Sequence, residues 1–278
     1  MLEDLTRGNE LIRDFEDIIK TQRPPDEFKS LKIGVDLGTA NVVVSVLDSD
    51  NKPVMGAIQP AQVVRDGLVV DYVGAIRIVK RLKACIEEVI SLPLKKAATA
   101  IPPGVNPGDV KAIGNVVEAA GFELTGIVDE PTAAAKVLGI KNGAVVDVGG
   151  GTTGISVLKN GEVVYVADEP TGGTHFTLVL AGNYRVSFEE AERIKLSKEK
   201  SKEVFQVLIP VMEKVGSIIR NHIQDKKVDT IYLVGGTSCI NGIERVIETH
   251  TGIKAVKPVN PLLVTPLGIA MLSEEGGG

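Results

Sequence analysis

The apolar positions of this chain fall into two rhythms. Within residues 1–23, Leu2, Leu5, Leu11, Ile12, Phe15, Ile18 and Ile19 recur at spacings of three and four, the stripe of an amphipathic helix. Pro24-Pro25 ends it, because proline lacks the N–H a continuing helix needs. Such a stripe packs on the chain's own body by default; docking to a partner is the sharper alternative. From residue 31 on, short Val/Ile-rich runs alternate with helical stretches, which predicts an α/β fold. Helices are expected over 74–91, 109–120, 130–138, 188–198, 202–224, 242–249 and 267–272. Gly276-Gly277-Gly278 carries no pattern and reads as a frayed end.

One segment recurs. Asp36-Leu-Gly-Thr-Ala-Asn-Val-Val-Val-Ser-Val-Leu47 aligns without a gap on Asp147-Val-Gly-Gly-Gly-Thr-Thr-Gly-Ile-Ser-Val-Leu158. Each copy follows an apolar strand (33–35 and 144–146). Each then runs through a polar turn, Ser49-Asp50-Asn51 or Lys159-Asn160-Gly161, into a third extended run. Each copy therefore reads as a strand, a Gly/Thr turn, a strand, a turn and a strand, an antiparallel meander. Two copies imply two similar lobes facing each other.

The turns point to phosphate. A dinucleotide-binding loop needs a helix straight after its glycines, and Ile155-Ser156-Val157-Leu158 reads as a strand; no GxxxxGK[ST] occurs either. A Gly/Thr turn between strands instead exposes backbone N–H donors unobstructed by side chains, a concavity for phosphate oxygens. Asp36 and Asp147, each ending the strand before its turn, supply two carboxylates. Converging from two lobes, they suit a hydrated Mg²⁺, which prefers few protein ligands and keeps its waters. A single Asp-Leu-Gly-Thr could be an ordinary turn; its duplication in register is the stronger signal.

Three further segments join them. Asp129-Glu130-Pro131-Thr132 is either ordinary acidic charge at a helix start or a carboxylate placed to orient water. Val234-Gly235-Gly236-Thr237-Ser238, after a strand at 230–233, allows close approach of a ligand. Glu192 and Lys195 share one helix face at i, i+3, either as a solvated ion pair or as a nucleoside clamp.

Composition narrows the function. Lys and Arg number 31 against 36 Asp and Glu, a net charge of −5, with no basic cluster to hold a nucleic-acid backbone. The hydrophobic share of 44% supports a sizeable core, and the 4% of aromatics with no Trp argues against a stacking platform. Cys85 and Cys239 stand alone, without metal-ligand or disulfide spacing, the usage of a reducing compartment. His175, His222 and His250 are scattered, as surface or structural histidines are. The run from Lys195 to Lys202 reads as a solvated helix face. No apolar stretch reaches membrane-spanning length, and the acidic start is unlike a signal peptide; a soluble, cytoplasmic protein is expected.

Five segments occur in a telling order: Ile33-Gly-Val-Asp-Leu-Gly-Thr39, Asp129-Glu-Pro-Thr-Ala-Ala134, Asp147-Val-Gly-Gly-Gly-Thr152, Val234-Gly-Gly-Thr-Ser238 and Pro266-Leu-Gly-Ile-Ala270. The series resembles the signature of the actin/Hsp70/sugar-kinase ATPases and covers residues 31–272. The wording of the second and third segments is similar to Hsp70, while Arg65-Asp-Gly-Leu-Val-Val-Asp-Tyr72 and Ala191-Glu-Arg-Ile-Lys195 resemble the bacterial actin branch. An acidic N-terminal helix before a shortened ATPase looks most like the members that serve ethanolamine utilisation.

This resemblance implies two ribonuclease-H-like lobes with ATP and Mg²⁺ between them. Residues 1–30 would form the helical extension, 31–142 with 264–278 the first lobe, and 143–263 the second. Asp36 and Asp147 would touch the magnesium shell through water, and Glu130 would orient the attacking water. Gly38, Thr39, Ala40 and Asn41 would cradle phosphates from the first lobe, and Gly149, Gly150, Gly151, Thr152 and Thr153 from the second. Gly172, Gly173, Gly235, Gly236 and Thr237 would approach phosphate and adenosine, with Glu192 and Lys195 flanking the nucleoside. The partner implied is a protein of ethanolamine metabolism, its ammonia-lyase or the shell of a bacterial microcompartment.

Departures set the expectations apart from Hsp70. The phosphate-contacting lysine of that family has no placed counterpart; Lys80 and Lys83 are merely nearby. The stretch from Thr174 to Thr230 is short, so the second lobe's small subdomain should be reduced. No peptide-binding domain is expected after the last motif. The leading reading is a weakly hydrolysing ATP switch with a chaperone-like accessory role. A filament-forming ATPase is the alternative, disfavoured by the reduced second lobe. A small-molecule kinase would need an acceptor-site insertion that the sequence lacks.

Overall fold

The computed structural model describes residues 5–65 and 67–275. Leu2 of the N-terminal stripe, Asp66 of the Arg65–Tyr72 segment and the closing three glycines lie outside the described residues. Helix α1 (Thr6–Thr21) precedes strands β1 (Leu31–Leu37), β2 (Asn41–Asp48) and β3 (Pro53–Pro60), a two-residue hairpin pair β4 (Val64–Arg65) and β5 (Leu68–Val69), and α2 (Tyr72–Ile90). Then come β6 (Lys96–Ile101), α3 (Pro107–Ala119), β7 (Glu123–Asp129) and α4 (Glu130–Leu138). The second meander is β8 (Gly143–Val148), β9 (Thr153–Lys159) and β10 (Glu162–Glu169). Helices α5 (Gly173–Tyr184), α6 (Phe188–Leu196) and α7 (Ser201–Ile223) lead to β11 (Thr230–Val234), α8 (Ile243–Thr251), β12 (Lys254–Val256) and α9 (Val264–Leu272).

The internal repeat becomes two five-stranded sheets of one topology, β3-β2-β1-β6-β7 and β10-β9-β8-β11-β12. In each, the meander is antiparallel and the remaining strands add in parallel. The register is duplicated as well. Leu37 pairs with Val42 below the first Gly/Thr turn, and Val148 pairs with Thr153 below the second. The polar turns place Asn51 at φ 62° and Asn160 at φ 55°, the left-handed region that asparagine tolerates better than most side chains.

Two short helices join the sheets. Asp129 caps α4 by accepting from Thr132 N at 2.9 Å, with Pro131 in the first turn. Helix α9 lies across α4, β1 and β2, tied to β2 by Ser45 Oγ donating to Pro266 O at 2.6 Å. Helices α4 and α9 approach so closely that a Cβ on Gly268 would strike the Ala133 carbonyl. Small side chains at this crossing let two backbones meet beneath the cleft.

The apolar stripe of α1 is spent on the chain's own body. Ile12 and Phe15 are fully buried, Phe15 against Gly56 of β3 and Gly8 against the end of α4. Asn9 Oδ1 also accepts from Val259 N at 2.9 Å, reaching the loop that follows β12. The helix therefore packs as the default reading expects, on both halves of the molecule, and its apolar face is not open to a partner.

Helix α5 was not among the expected elements. Its Phe176-Thr-Leu-Val-Leu180 run carries no 3.6-residue rhythm; Phe176 and Leu180 are buried, while Leu178 and Val179 face outward. The stretch from Thr174 to Thr230 thus forms three helices, with α6 and α7 close to their predicted bounds.

Candidate functional site

A cleft of about 1460 Å³ opens between the two sheets and gathers most of the singled-out residues. On the first side it is lined by Asp36, Gly38, Thr39, Ala40 and Asn41, and at its base by Glu130 and Asp147. The second side adds Gly149, Gly150, Gly151 and Thr152, then Gly173, Gly235, Gly236 and Thr237, with Glu192 and Lys195 farther out. The two Gly/Thr turns touch: a Cβ on Gly150 would lie 3.1 Å from Ala40 Cβ and 3.2 Å from Thr39 Cβ.

Two singled-out residues do not reach the wall. Thr153 is fully buried, its Oγ1 donating to Thr171 O at 2.5 Å. Gly172 stands behind the second turn, where a Cβ would meet Gly151 C at 2.6 Å and Thr152 N at 2.7 Å. Both support the turn from behind.

The second turn is braced from several segments. Gly149 N closes it on Thr152 O at 3.0 Å. Gly173 N and Thr174 N, at the start of α5, donate to Gly149 O and Gly150 O at 2.9 and 2.8 Å. Thr237 Oγ1 also donates to Gly149 O at 2.7 Å. Gly235 sits at φ 86° and ψ 159°, a region reserved for glycine, and a side chain there would collide with the Asp147 carboxylate.

At the base, three partly buried carboxylates meet without a basic partner among the described residues. Asp36 is pushed up to about 7, first by desolvation and then by the charge of Asp147. Asp147 rises to about 6 through desolvation, eased by a hydrogen bond from Thr265 and raised again by Asp168. Thr265 Oγ1 lies 3.4 Å from Asp147 Oδ2. Glu130 is held well above the usual carboxylate range by desolvation, then by Asp147, Asp36, Asp168 and Asp129. Unpaired carboxylates held this close lack a positive charge, which a divalent cation would provide. Among the described residues no three His, Cys, Asp or Glu side chains are grouped to ligate one ion directly. A hydrated Mg²⁺ held through water by two carboxylates fits that donor set.

At the outer end, Lys195 Nζ lies 2.7 Å from Glu192 Oε1, 2.8 Å from Thr177 Oγ1 and 3.3 Å from Gly173 O. The solvated-pair reading is thereby replaced by a built network that ties α6 to α5. Lys257 Nζ donates to Ser238 O at 3.0 Å and Ile240 O at 2.7 Å, fixing the loop after Gly235-Gly236.

Sequence reasoning missed several of these groups. Thr265 stands one residue before the Pro266 segment and was readable there. Thr177 lies on the unforeseen α5. Arg65, His175 and Lys198 line the cleft; Arg65 heads a segment already noted for its bacterial-actin wording. His222 bridges Tyr165 and Glu169, and His250 meets Ser217 at 2.8 Å, both as structural histidines. Cys239 also lines the cleft, its thiol pushed up by burial. Lys83 is paired with Glu87 at 2.6 Å, and neither it nor Lys80 lines the cleft.

The chain is similar to known proteins over nearly its full length. It is 41% identical to the ethanolamine utilization protein EutJ of Escherichia coli over 255 residues, 91% of this chain and 90% of that one. The crystal structure of EutJ from Carboxydothermus hydrogenoformans superposes with a TM-score of 0.91 at 46% identity, covering 95% and 97% of the two chains. The chain belongs to the EutJ family. Family models of the MreB/Mbl protein and of the type IV pilus assembly protein PilM match residues 51–197 and 134–267. EutJ thus sits among the actin-like ATPases, as the five-segment series implied. MreB5 of Spiroplasma citri bound to ADP shares the fold, with a TM-score of 0.68, 19% identity, and 86% and 94% of the chains covered. Among the described residues of this EutJ-family chain, no helix is long and apolar enough to cross a membrane.

Proposed function

We propose that this EutJ-family chain binds Mg-ATP in the cleft and hydrolyses it slowly, as a switch serving the enzymes or shell of ethanolamine utilisation. The reading includes a cytoplasmic location beside a bacterial microcompartment and a chaperone-like accessory role. It also includes the division into residues 1–30, a first lobe of 31–142 with 264–278, and a second lobe of 143–263. The observation that carries it is the meeting of Gly150 with Thr39 and Ala40 above Asp36, Asp147 and Glu130. Two rows of N–H donors over a set of unpaired carboxylates suit a polyphosphate carrying a divalent cation.

Asp36 and Asp147 would hold Mg²⁺ through its waters, and the ion would supply neutralisation of the phosphate charge. Glu130, at the start of α4, orients a water toward the γ-phosphorus and takes its proton; its raised affinity for protons suits that task. The water oxygen forms the new P–O bond, the bond to the β,γ-bridging oxygen breaks, and ADP leaves with the electron pair. The second turn holds its N–H donors in place beforehand, which is the larger part of catalysis by positioning. Ethanolamine utilisation enters from the names of the relatives.

A nucleotide changes lobe closure only through its different affinities for the open and closed states. A partner that reads closure must alter nucleotide affinity in return. Calorimetric titration with ATP and ADP, with and without Mg²⁺, followed by a phosphate-release assay, tests binding and turnover. Pull-down from cells expressing the ethanolamine pathway, in ATP and in ADP, tests the switch. Retention of an ammonia-lyase or shell protein that changes with nucleotide supports it. ATP-dependent sedimentation with nothing retained would put a filament-forming ATPase in its place.

A further inference from the structure

The cleft described above has an acidic base, yet the substrate proposed for it is a polyanion. Asp36, Glu130 and Asp147 approach the space where phosphates would lie, and none has a basic partner among the described residues. Backbone N–H groups carry only partial charge, so fixed cations on the walls matter. Among the described residues, the Lys and Arg side chains lining the cleft are Arg65, Lys195 and Lys198.

One of these is engaged at the outer end and another is exposed beside it. Lys195 is engaged by Glu192, Thr177 and Gly173 O. Lys198 follows α6 on the same second-lobe wall. Arg65 stands on the opposite wall, exposed, its side chain without a hydrogen bond or ion pair among the described residues. Its position is built. Ala61 N donates to Ala40 O at 3.0 Å, tying the segment that leads to Arg65 onto the first Gly/Thr turn. Val64 beside it is buried, and β4 pairs with β5 through Arg65 and Leu68. Behind the hairpin, Gly67 at φ 75° leans on Pro102 and Val105, and Pro103 lies against Gly154 next to Asp147. Arg65 is thus anchored at its backbone, with its side chain exposed on the first-lobe wall of the cleft.

We propose that Arg65 is the first-lobe cation for the nucleotide's polyphosphate, a phosphate-binding residue that faces the second-lobe turn across the cleft. The proposal rests on the reading of the cleft as an ATP site. Its planar fork can donate two hydrogen bonds to adjacent phosphate oxygens, and its charge offsets the carboxylates below. Contact from this wall to the terminal phosphate would also draw the two lobes together in ATP more than in ADP.

The test is titration of the full chain with ATP, ADP and adenosine, for the natural sequence and for Arg65→Gln and Arg65→Lys. Arg65→Gln should weaken ATP roughly 10- to 100-fold, the range for losing charged hydrogen bonds, and ADP less. Adenosine affinity should stay unchanged, showing an intact cleft, and Arg65→Lys should recover part of the loss. ATP binding by Arg65→Gln within about twofold of the natural chain overturns the proposal while leaving the ATP site standing. Equal weakening of adenosine and ATP overturns it too, as a structural role. If the natural chain binds none of the three, the ATP reading fails and this proposal with it.

Discussion

The turn after β8 is held from three directions, by α5, by Thr237 and by its own Gly149–Thr152 closure, whereas among the described residues the turn after β1 has one such tie, Ala61 N to Ala40 O. Their registers match residue for residue, so most of the difference lies outside the repeat. In the second half, α5 follows β10 closely and points its first N–H groups at the turn. In the first half, the small β4–β5 hairpin and α2 occupy the corresponding interval. The second turn is therefore the more firmly held, and the duplicated motif has one fixed half and one lightly braced half.

The sharpest break in that comparison is at Glu130, which belongs to the connection between the halves. Glu130→Ala should leave ATP affinity nearly intact and slow phosphate release roughly 10- to 1000-fold. Equal losses in binding and rate would make Glu130 structural. The fixed half is tested at Gly235, where a methyl would meet Asp147 and Val148 O in a backbone region reserved for glycine. Gly235→Ala should lower stability by about 1–3 kcal/mol and weaken nucleotide binding, read by denaturant unfolding and titration. A variant as stable as the natural chain would show that this loop can shift.

The two carboxylates offer a pH test. With Asp36 at about 7 and Asp147 at about 6 in the folded chain, the folded state keeps protons that the unfolded chain has already lost. Their contribution is most favourable below about pH 4 and is lost as pH rises through 7. Asp36→Asn should accordingly raise the unfolding free energy of the ligand-free chain at pH 8 by an amount on the order of 1–3 kcal/mol, read by denaturant unfolding, and flatten its pH dependence between 5 and 8. The same variant and Asp147→Asn should lose the magnesium response of ATP binding. An unchanged response in both would remove the metal assignment. The smallest effect is expected at Thr237→Val, which deletes one brace on Gly149 O and should cost about 1 kcal/mol, with a modest loss in nucleotide affinity. No loss would mean that α5 alone fixes the second turn.

Much of this was legible in the residues because the signals are local. Asp36 and Asp147 each precede a glycine-bearing turn between two apolar strands, and the ungapped repeat carried the meander and its register. Asp129 and Pro131 mark the start of α4 by capping chemistry that acts within four residues. The stripe from Leu5 to Ile19 announced α1 by its period alone. Each of these is a preference of neighbouring residues for one backbone conformation or one face.

Other features had no local signal. In α5, consecutive apolar residues erase helical periodicity, and only burial of Phe176 and Leu180 beneath the turn selects a helix. Thr153 looks like its neighbour Thr152 in a string of polar residues; strand alternation turns it inward to Thr171 O, away from the cleft. Arg65 and Thr265 reach the cleft from two separate elements, and Thr177 braces Lys195 from a third. Local preferences determined the strands, turns, caps and the duplicated Asp–Gly frame of this protein. The tertiary structure alone decided which side chains share the cleft and how strongly Asp36, Asp147 and Glu130 hold protons. Desolvation and charge repulsion depend on distances through space, and those exist only once the two sheets have packed across α4 and α9.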